Sequence, residues 1–159
     1  MNEDELQVKK IESGTVIDHI SAGKALAVLR ILGITGAEDF TVSVLMNARS
    51  KKYGKKDLVK IEKRRLTTTE VNKIALISPH ATINIIENYK VIEKFNVKLP
   101  EEIIDVVKCA NPTCITNSKE PVTPKFKVVE VDPIKLRCIY CNRFTTVDDI
   151  IKQFSGEEQ

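Results

Sequence analysis

Tryptophan is absent from this sequence, and with three tyrosines and five phenylalanines the aromatic residues make up 5% of it. Proteins that hold single-stranded nucleic acid stack bases on exposed rings, so this supply argues against that role. Histidine is nearly as scarce: His19 and His80 are the two present. Neither has an identifiable partner for a nucleophile–base pair, which leaves little room for covalent catalysis. The six glycines form no phosphate-cradling loop. Any nucleotide would be held by side chains and strand backbone, and its hydrolysis is not expected. No run approaches the roughly 18 apolar residues of a membrane span. The first residues, MNEDELQVKK, are acidic and polar and lack the apolar centre of a signal peptide, so a cytoplasmic protein is expected. Cysteine is missing from the first 108 residues.

The 159 residues suit one large domain or two small ones, at about 100–200 residues per domain. Hydrophobic residues make up 42%, charged residues 30%, and the mean hydropathy is −0.15, the balance of an ordinary globular protein. The net charge of +3 conceals a division. Residues 1–100 carry 17 Lys/Arg against 12 Asp/Glu, whereas residues 101–159 carry 8 against 10. The part that holds the cysteines is slightly acidic, and the part without them is basic.

Thr15–Ile20 (TVIDHI) is rich in β-branched residues and reads as a strand. Ser21 is placed to cap a helix through AGKALAVLRIL, with Leu26, Leu29 and Ile31–Leu32 at helical spacing and Gly33 to end it. Phe40–Asn47 alternates as a strand, and the polar loop ARSKKYGKK leads to another at Leu58–Glu62. Thr67 and Glu70 have the spacing of a capping box for a helix that Pro79 follows. Ala81–Glu87 and Lys90–Phe95 read as strands around an Asn88-Tyr89 turn. The order β-α-β-β-α-β plus one strand predicts a ferredoxin-like antiparallel sheet with two helices on one face and the other face open. Leu99-Pro100 begins a linker, Pro100–Val107 reads as a short helix, and three strand-like pieces follow from Phe126 to Val147. The expectation is an α+β chain: residues 1–99 form the ferredoxin-like domain, and residues 100–159 a small all-β, zinc-ribbon-like domain. The second is too small to be stable on its apolar core alone.

The four cysteines fall as Cys109-x4-Cys114 and Cys138-x2-Cys141, 23 residues apart. Each pair brackets turn residues, so two knuckles can converge on one ion. Disulfides are the other use of such a set, but the spacing favours a structural metal in a reducing compartment. Zinc is the commoner occupant, and iron is also compatible. Four sulfurs fill the shell, which speaks against a catalytic metal.

From Arg49 to Arg65 there are nine Lys/Arg and two acids, Asp57 and Glu62. On charge alone a solvated hairpin is the commoner meaning. Along the strand, however, Lys56, Leu58 and Lys60 share one face and Val59 and Ile61 the other. The lysines then lie on the open face, where Asp18, His19, Asn84 and Lys94 can join them. A carboxylate for ribose hydroxyls beside several cations for phosphates is what a nucleoside triphosphate requires. A nucleic-acid module and a small enzyme are the rival readings; the acidic cysteine domain and the missing nucleophile–base pair weigh against them.

The segments GTVIDHI (14–20), GKKDLVKIE (54–62), PHATINIIENYKV (79–91), CANPTCI (109–115) and CIYC (138–141) together resemble the regulatory chain of aspartate carbamoyltransferase, over nearly the whole length. The loop ARSKKYG (48–54) is more basic than that family's pattern. The resemblance implies a non-catalytic subunit of an enzyme of pyrimidine biosynthesis, binding ATP and CTP at one allosteric site. It implies Asp18 and Lys60 at the ribose with Val8 nearby, and His19, Asn84, Lys56 and Lys94 at the phosphates. Ile11, Ile86, Tyr89 and Val91 would frame the base. One structural zinc would sit on Cys109, Cys114, Cys138 and Cys141, in a domain that contacts the catalytic chain. The N-terminal domains would pair as a regulatory homodimer.

Overall fold

Residues 10–51 and 54–155 are described by the computed structural model. The β-branched run TVIDHI becomes the central strand β1 (Gly14–Ser21). Around it lie β2 (Val42–Ser50), β3 (Gly54–Glu62), β4 (Thr82–Glu87) and β5 (Lys90–Asn96), in the order β2-β3-β1-β4-β5 and antiparallel throughout. With α1 (Ala25–Ile31) between β1 and β2 and α2 (Thr68–Ile77) between β3 and β4, this is the expected ferredoxin-like order extended by β5. Val59, Ile17 and Ile83 are in register across three strands and are buried in one core with Val28 of α1 and Ile74 of α2. Gly14 is required where β1 begins: its φ is +140°, and a Cβ there would collide with the carbonyl oxygen of Ile61.

The cap of α1 differs from the expectation. Ser21 ends β1 in register with Lys56, and its N–H donates to Ser78 Oγ, so it is committed to the sheet. The helix instead starts at Ala25, and the N–H groups of Gly23 and Ala25 both donate to Oδ2 of Asp57 at 2.9 Å. The buried stripe is Ala25, Val28 and Leu32, while Leu26 is 53% exposed. Beyond the helix, Gly33 adopts φ +70° and donates to Arg30 O, and Ile34 donates to Leu29 O, a Schellman end. In α2 both halves of the Thr67/Glu70 capping box form, at 3.1 and 2.9 Å. Asn88 and Tyr89 both take positive φ, as a two-residue hairpin turn of the primed kind needs.

A second sheet follows: β6 (Glu102–Ile104), β7 (Lys125–Val131), β8 (Ile134–Cys138) and β9 (Phe144–Thr146), in that spatial order. The segment read as a helix over Pro100–Val107 contains β6. Ile103 is buried between exposed Glu102 and Ile104, a period-two pattern that a strand paired with β7 satisfies. One element was not anticipated, helix α3 (Val147–Ser155). Its start is marked by Thr146, whose N–H and hydroxyl both donate to Asp149, a Ser/Thr-x-x-Asp/Glu spacing present in the sequence. Helix α3 packs against α1 and α2, burying Ile150 and setting Phe154 under the Lys73 ammonium, 5.4 Å from ring centroid to Nζ. The two sheets are therefore joined through a helical layer.

Candidate functional site

Register across the first sheet places Lys60, Val16, Asn84 and Lys94 in one cross-strand row. It lies on the face opposite the buried Val59–Ile17–Ile83 row, because successive residues of a strand alternate faces. From Lys60 to Lys94 is three strand spacings, roughly 14 Å. Beside this row is a cleft of about 290 Å³ with one polar and one apolar end. Asp18, Lys60 and Asn84 line the polar end, with Lys10 beside them, and Ile11, Ile86, Tyr89 and Val91 line the apolar end. Tyr89 and Val91 are more than half exposed at the hairpin, where they form a rim rather than a core.

A β-bulge between Ile17 and Ile20 shapes the polar end. It gives His19 a φ of +56° and lets two consecutive side chains reach the same rim. Asp18 Oδ1 accepts the His19 N–H at 2.7 Å and lies 2.8 Å from Lys56 Nζ. His19 Nδ1 is 3.3 Å from Thr82 Oγ1. Burial lowers the Lys60 pKa from the ordinary lysine range; Asp18 opposes this and Lys10 adds to it. Asn84 Nδ2 donates to the Val16 carbonyl at 3.3 Å.

His19, Lys56 and Lys94 do not line the first cleft; they line two depressions that adjoin it. Lys56 lines one of about 300 Å³ and Lys94 another of about 350 Å³, and His19 lines both. Val8 lies outside the described residues.

In the second sheet the four cysteine sulfurs all lie within 4.8 Å of one another. Cys109 and Cys141 are 3.6 Å apart and Cys114 and Cys138 3.7 Å. A tetrahedral ion with metal–sulfur bonds of about 2.3 Å has sulfur–sulfur edges of about 3.8 Å, so this donor set fits a closed metal site. In the first knuckle Cys114 N–H donates to Asn111 O, and Asn117 Nδ2 donates to the carbonyls of Cys109 and Asn111. In the second, Asn142 N–H donates to Cys138 O, and Asn142 takes φ +65°. The Thr116 hydroxyl donates to Cys114 Sγ at 3.2 Å, an outer contact of the kind that orients a ligand. Burial pushes the Cys109 and Cys138 thiols up. Burial opposes ionisation of Cys141 too, but the Arg143 N–H, Asn111 and the neighbouring thiols hold it down at about 6.

Two groups were not singled out from the sequence. Asp57 is fully buried and accepts three backbone N–H groups, adding Asn47 at 2.8 Å to Gly23 and Ala25. Its signal was available: it shares strand parity with the core residues Val59 and Ile61. His80 has Nε2 3.4 Å from Asp132 Oδ2, a contact from the first sheet's unit to the second's that no local pattern reveals.

A family model described as aspartate carbamoyltransferase regulatory chain, allosteric domain, matches residues 6–98. A second, the metal binding domain of the same regulatory chain, matches residues 101–151. The aspartate carbamoyltransferase regulatory chain of Methanothrix thermoacetophila is 59% identical over 143 residues, 90% of this chain and 93% of that protein. That of Pyrobaculum islandicum is 57% identical over 148 residues, covering 92% and 98%. That of Korarchaeum cryptofilum is 51% identical over 154 residues, covering 96% and 98%.

Proposed function

This chain belongs to the family of aspartate carbamoyltransferase regulatory chains, and we propose that it senses nucleoside triphosphates on its first sheet and passes their occupancy to a catalytic chain docked on its second. The observation that carries the nucleotide assignment is the cleft whose polar end holds Asp18, Lys60 and Asn84 and whose apolar end holds Ile11, Ile86, Tyr89 and Val91. ATP and CTP compete for it. Asp18 and Lys60 take the ribose, while His19, Lys56, Asn84 and Lys94 meet the phosphates and the apolar residues frame the base.

Zinc occupies Cys109, Cys114, Cys138 and Cys141. The sulfur spacing supports it, and a four-thiolate shell leaves no open position, so the ion is structural. When bound it supplies folding free energy to the second sheet. The boundary between nucleotide and zinc domains falls at residues 99/100, in the linker between β5 and β6. The chain pairs as a homodimer through the first domain, where β2 is an open sheet edge with partly exposed Val44 and Met46. No helix among the described residues is long and apolar enough to cross a membrane, and the chain works in the cytoplasm beside its enzyme.

Effector binding can bias the catalytic chain only by its differential affinity for two assembly states, commonly about 1–3 kcal/mol. By linkage, a bisubstrate analogue on the catalytic chain changes nucleotide affinity by the same factor. Titration of the reconstituted assembly with ATP and CTP, with and without the analogue, tests this. Identical affinities in both states would reduce the chain to a connector.

A further inference from the structure

The two cysteine knuckles are held in different ways. The second closes within the β8–β9 hairpin, where Cys138 N–H donates to Arg143 O and Asn142 N–H to Cys138 O. The first follows β6, which ends at Ile104, and the chain runs from there to Cys109 as irregular backbone. Its supports are side chains from later in the sequence. The Ala110 N–H donates to the hydroxyl of Thr145, a fully buried residue of β9, at 3.2 Å. Just before the cysteine, Lys108 N–H donates to Gln153 Oε1 and Gln153 Nε2 donates to Lys108 O, both at 2.8 Å. This amide clasp joins residues 45 positions apart. The Lys108 carbonyl belongs to the planar peptide unit that also carries the Cys109 nitrogen, so holding it fixes the direction in which the chain enters the knuckle.

Gln153 stands on α3, which packs against α1 and α2 of the first sheet's unit at the seam between the two units. Ile150 is fully buried there, and the Lys73 ammonium of α2 lies over the Phe154 ring. Resting on the metal reading above, we propose that Gln153 is a positioning residue for the metal: its clasp seats Cys109, and α3 makes that seat depend on the first sheet's unit. A ligand whose backbone is already fixed loses less freedom when it coordinates, and one whose backbone swings leaves the ion more readily. Loosening the last turn of α3 therefore frees the entrance to the first knuckle. Cys109 is then the thiolate that detaches first, while the second knuckle stays closed by its own hairpin. The second sheet's hold on its ion thus draws on helices that the sheet does not contain.

Metal release from the full-length, metal-loaded chain into excess chelator tests this, followed together with alkylation of each cysteine mapped by peptide mass. Gln153→Ala and Gln153→Met both speed release, roughly tenfold, the usual scale for losing a residue that orients a ligand. In both variants Cys109 gains most in alkylation while the metal is still bound. Methionine fills about the same space without the amide, so wild-type retention in Gln153→Met would mark a packing role and overturn the proposal. Phe154→Ala speeds release by a smaller factor, and the double variant with Gln153→Ala releases no faster than Gln153→Ala, because both loosen one helical turn. Gln153 and Phe154 are both partly exposed, so neither change threatens the fold. Unchanged release in Gln153→Ala or Phe154→Ala overturns the proposal. So does additive acceleration in the double variant, or an equal gain in alkylation at all four cysteines, which marks general loosening of the second sheet. A wild type that holds no metal overturns the metal reading itself, and this proposal with it.

Discussion

Asp18 Oδ1 lies 2.8 Å from Lys56 Nζ, so the carboxylate of the cleft is paired and oriented before any ligand arrives. Its other constraint, the His19 N–H at 2.7 Å, comes from the bulge. A carboxylate held in this way is preorganised to accept from vicinal ribose hydroxyls. ATP is expected to bind more tightly than 2′-deoxy-ATP, and Asp18→Ala to remove most of that preference, about 1–2 kcal/mol. Titration of both nucleotides against both proteins checks it; a preference that survives in the variant places the ribose elsewhere.

Lys60→Ala and Lys94→Ala should each weaken ATP and CTP by roughly 1.5–3 kcal/mol, the range for a hydrogen bond to a charged group. Lys60 adds a pH signature. Its pKa is lowered by burial, and only the ammonium attracts the ligand. Nucleotide affinity therefore falls as pH rises through that lowered pKa, earlier than for an ordinary lysine, and the bound anion draws protons onto Lys60 in that range. The alkaline loss should disappear in Lys60→Ala. Unchanged affinities in both variants would end the assignment.

One zinc per chain is expected, and its removal by a chelator should open β6–β9 while β1–β5 stay folded. Serine at any of Cys109, Cys114, Cys138 or Cys141 should do the same and abolish binding to the catalytic chain. Hydrogen exchange resolved along the chain distinguishes the two sheets. Folded, partner-competent protein with less than half a metal ion per chain would refute this.

Asp57→Ala strips the acceptor from three backbone N–H groups at once, at the start of α1 and at Asn47 of β2. A buried donor left unsatisfied costs about 1–3 kcal/mol, so a loss of about 3 kcal/mol or more is expected. Denaturant unfolding measures it. A loss below about 1 kcal/mol would mean that water replaces the carboxylate at all three positions.

Much of this architecture was legible in the residue pattern. Parity along β3 separated Lys56, Leu58 and Lys60 from Val59 and Ile61, and the observed burial follows it. The Thr67/Glu70 box, the Gly33 stop and the Asn88-Tyr89 turn are local devices, each readable within about five residues. The cysteine knuckles were readable for the same reason, since spacing within each pair already limits where its thiols can point. Misreadings arose where local preference met a distant partner. Pro100–Val107 looked helical until β7 offered Glu102–Ile104 a ladder, and Ser21 looked like a cap until the sheet claimed it.

By itself, then, the sequence determined the elements with short-range causes, the element order of the first sheet and the family to which the chain belongs. Tertiary structure alone decided three things. It decided that a carboxylate 32 positions away starts α1, that a bulge turns Asp18 and His19 to one rim, and that His80 meets Asp132 across the seam. Each depends on atoms far apart in the chain. Periodicity records which face a residue prefers, but not which distant group will stand opposite it once the sheets and helices have packed.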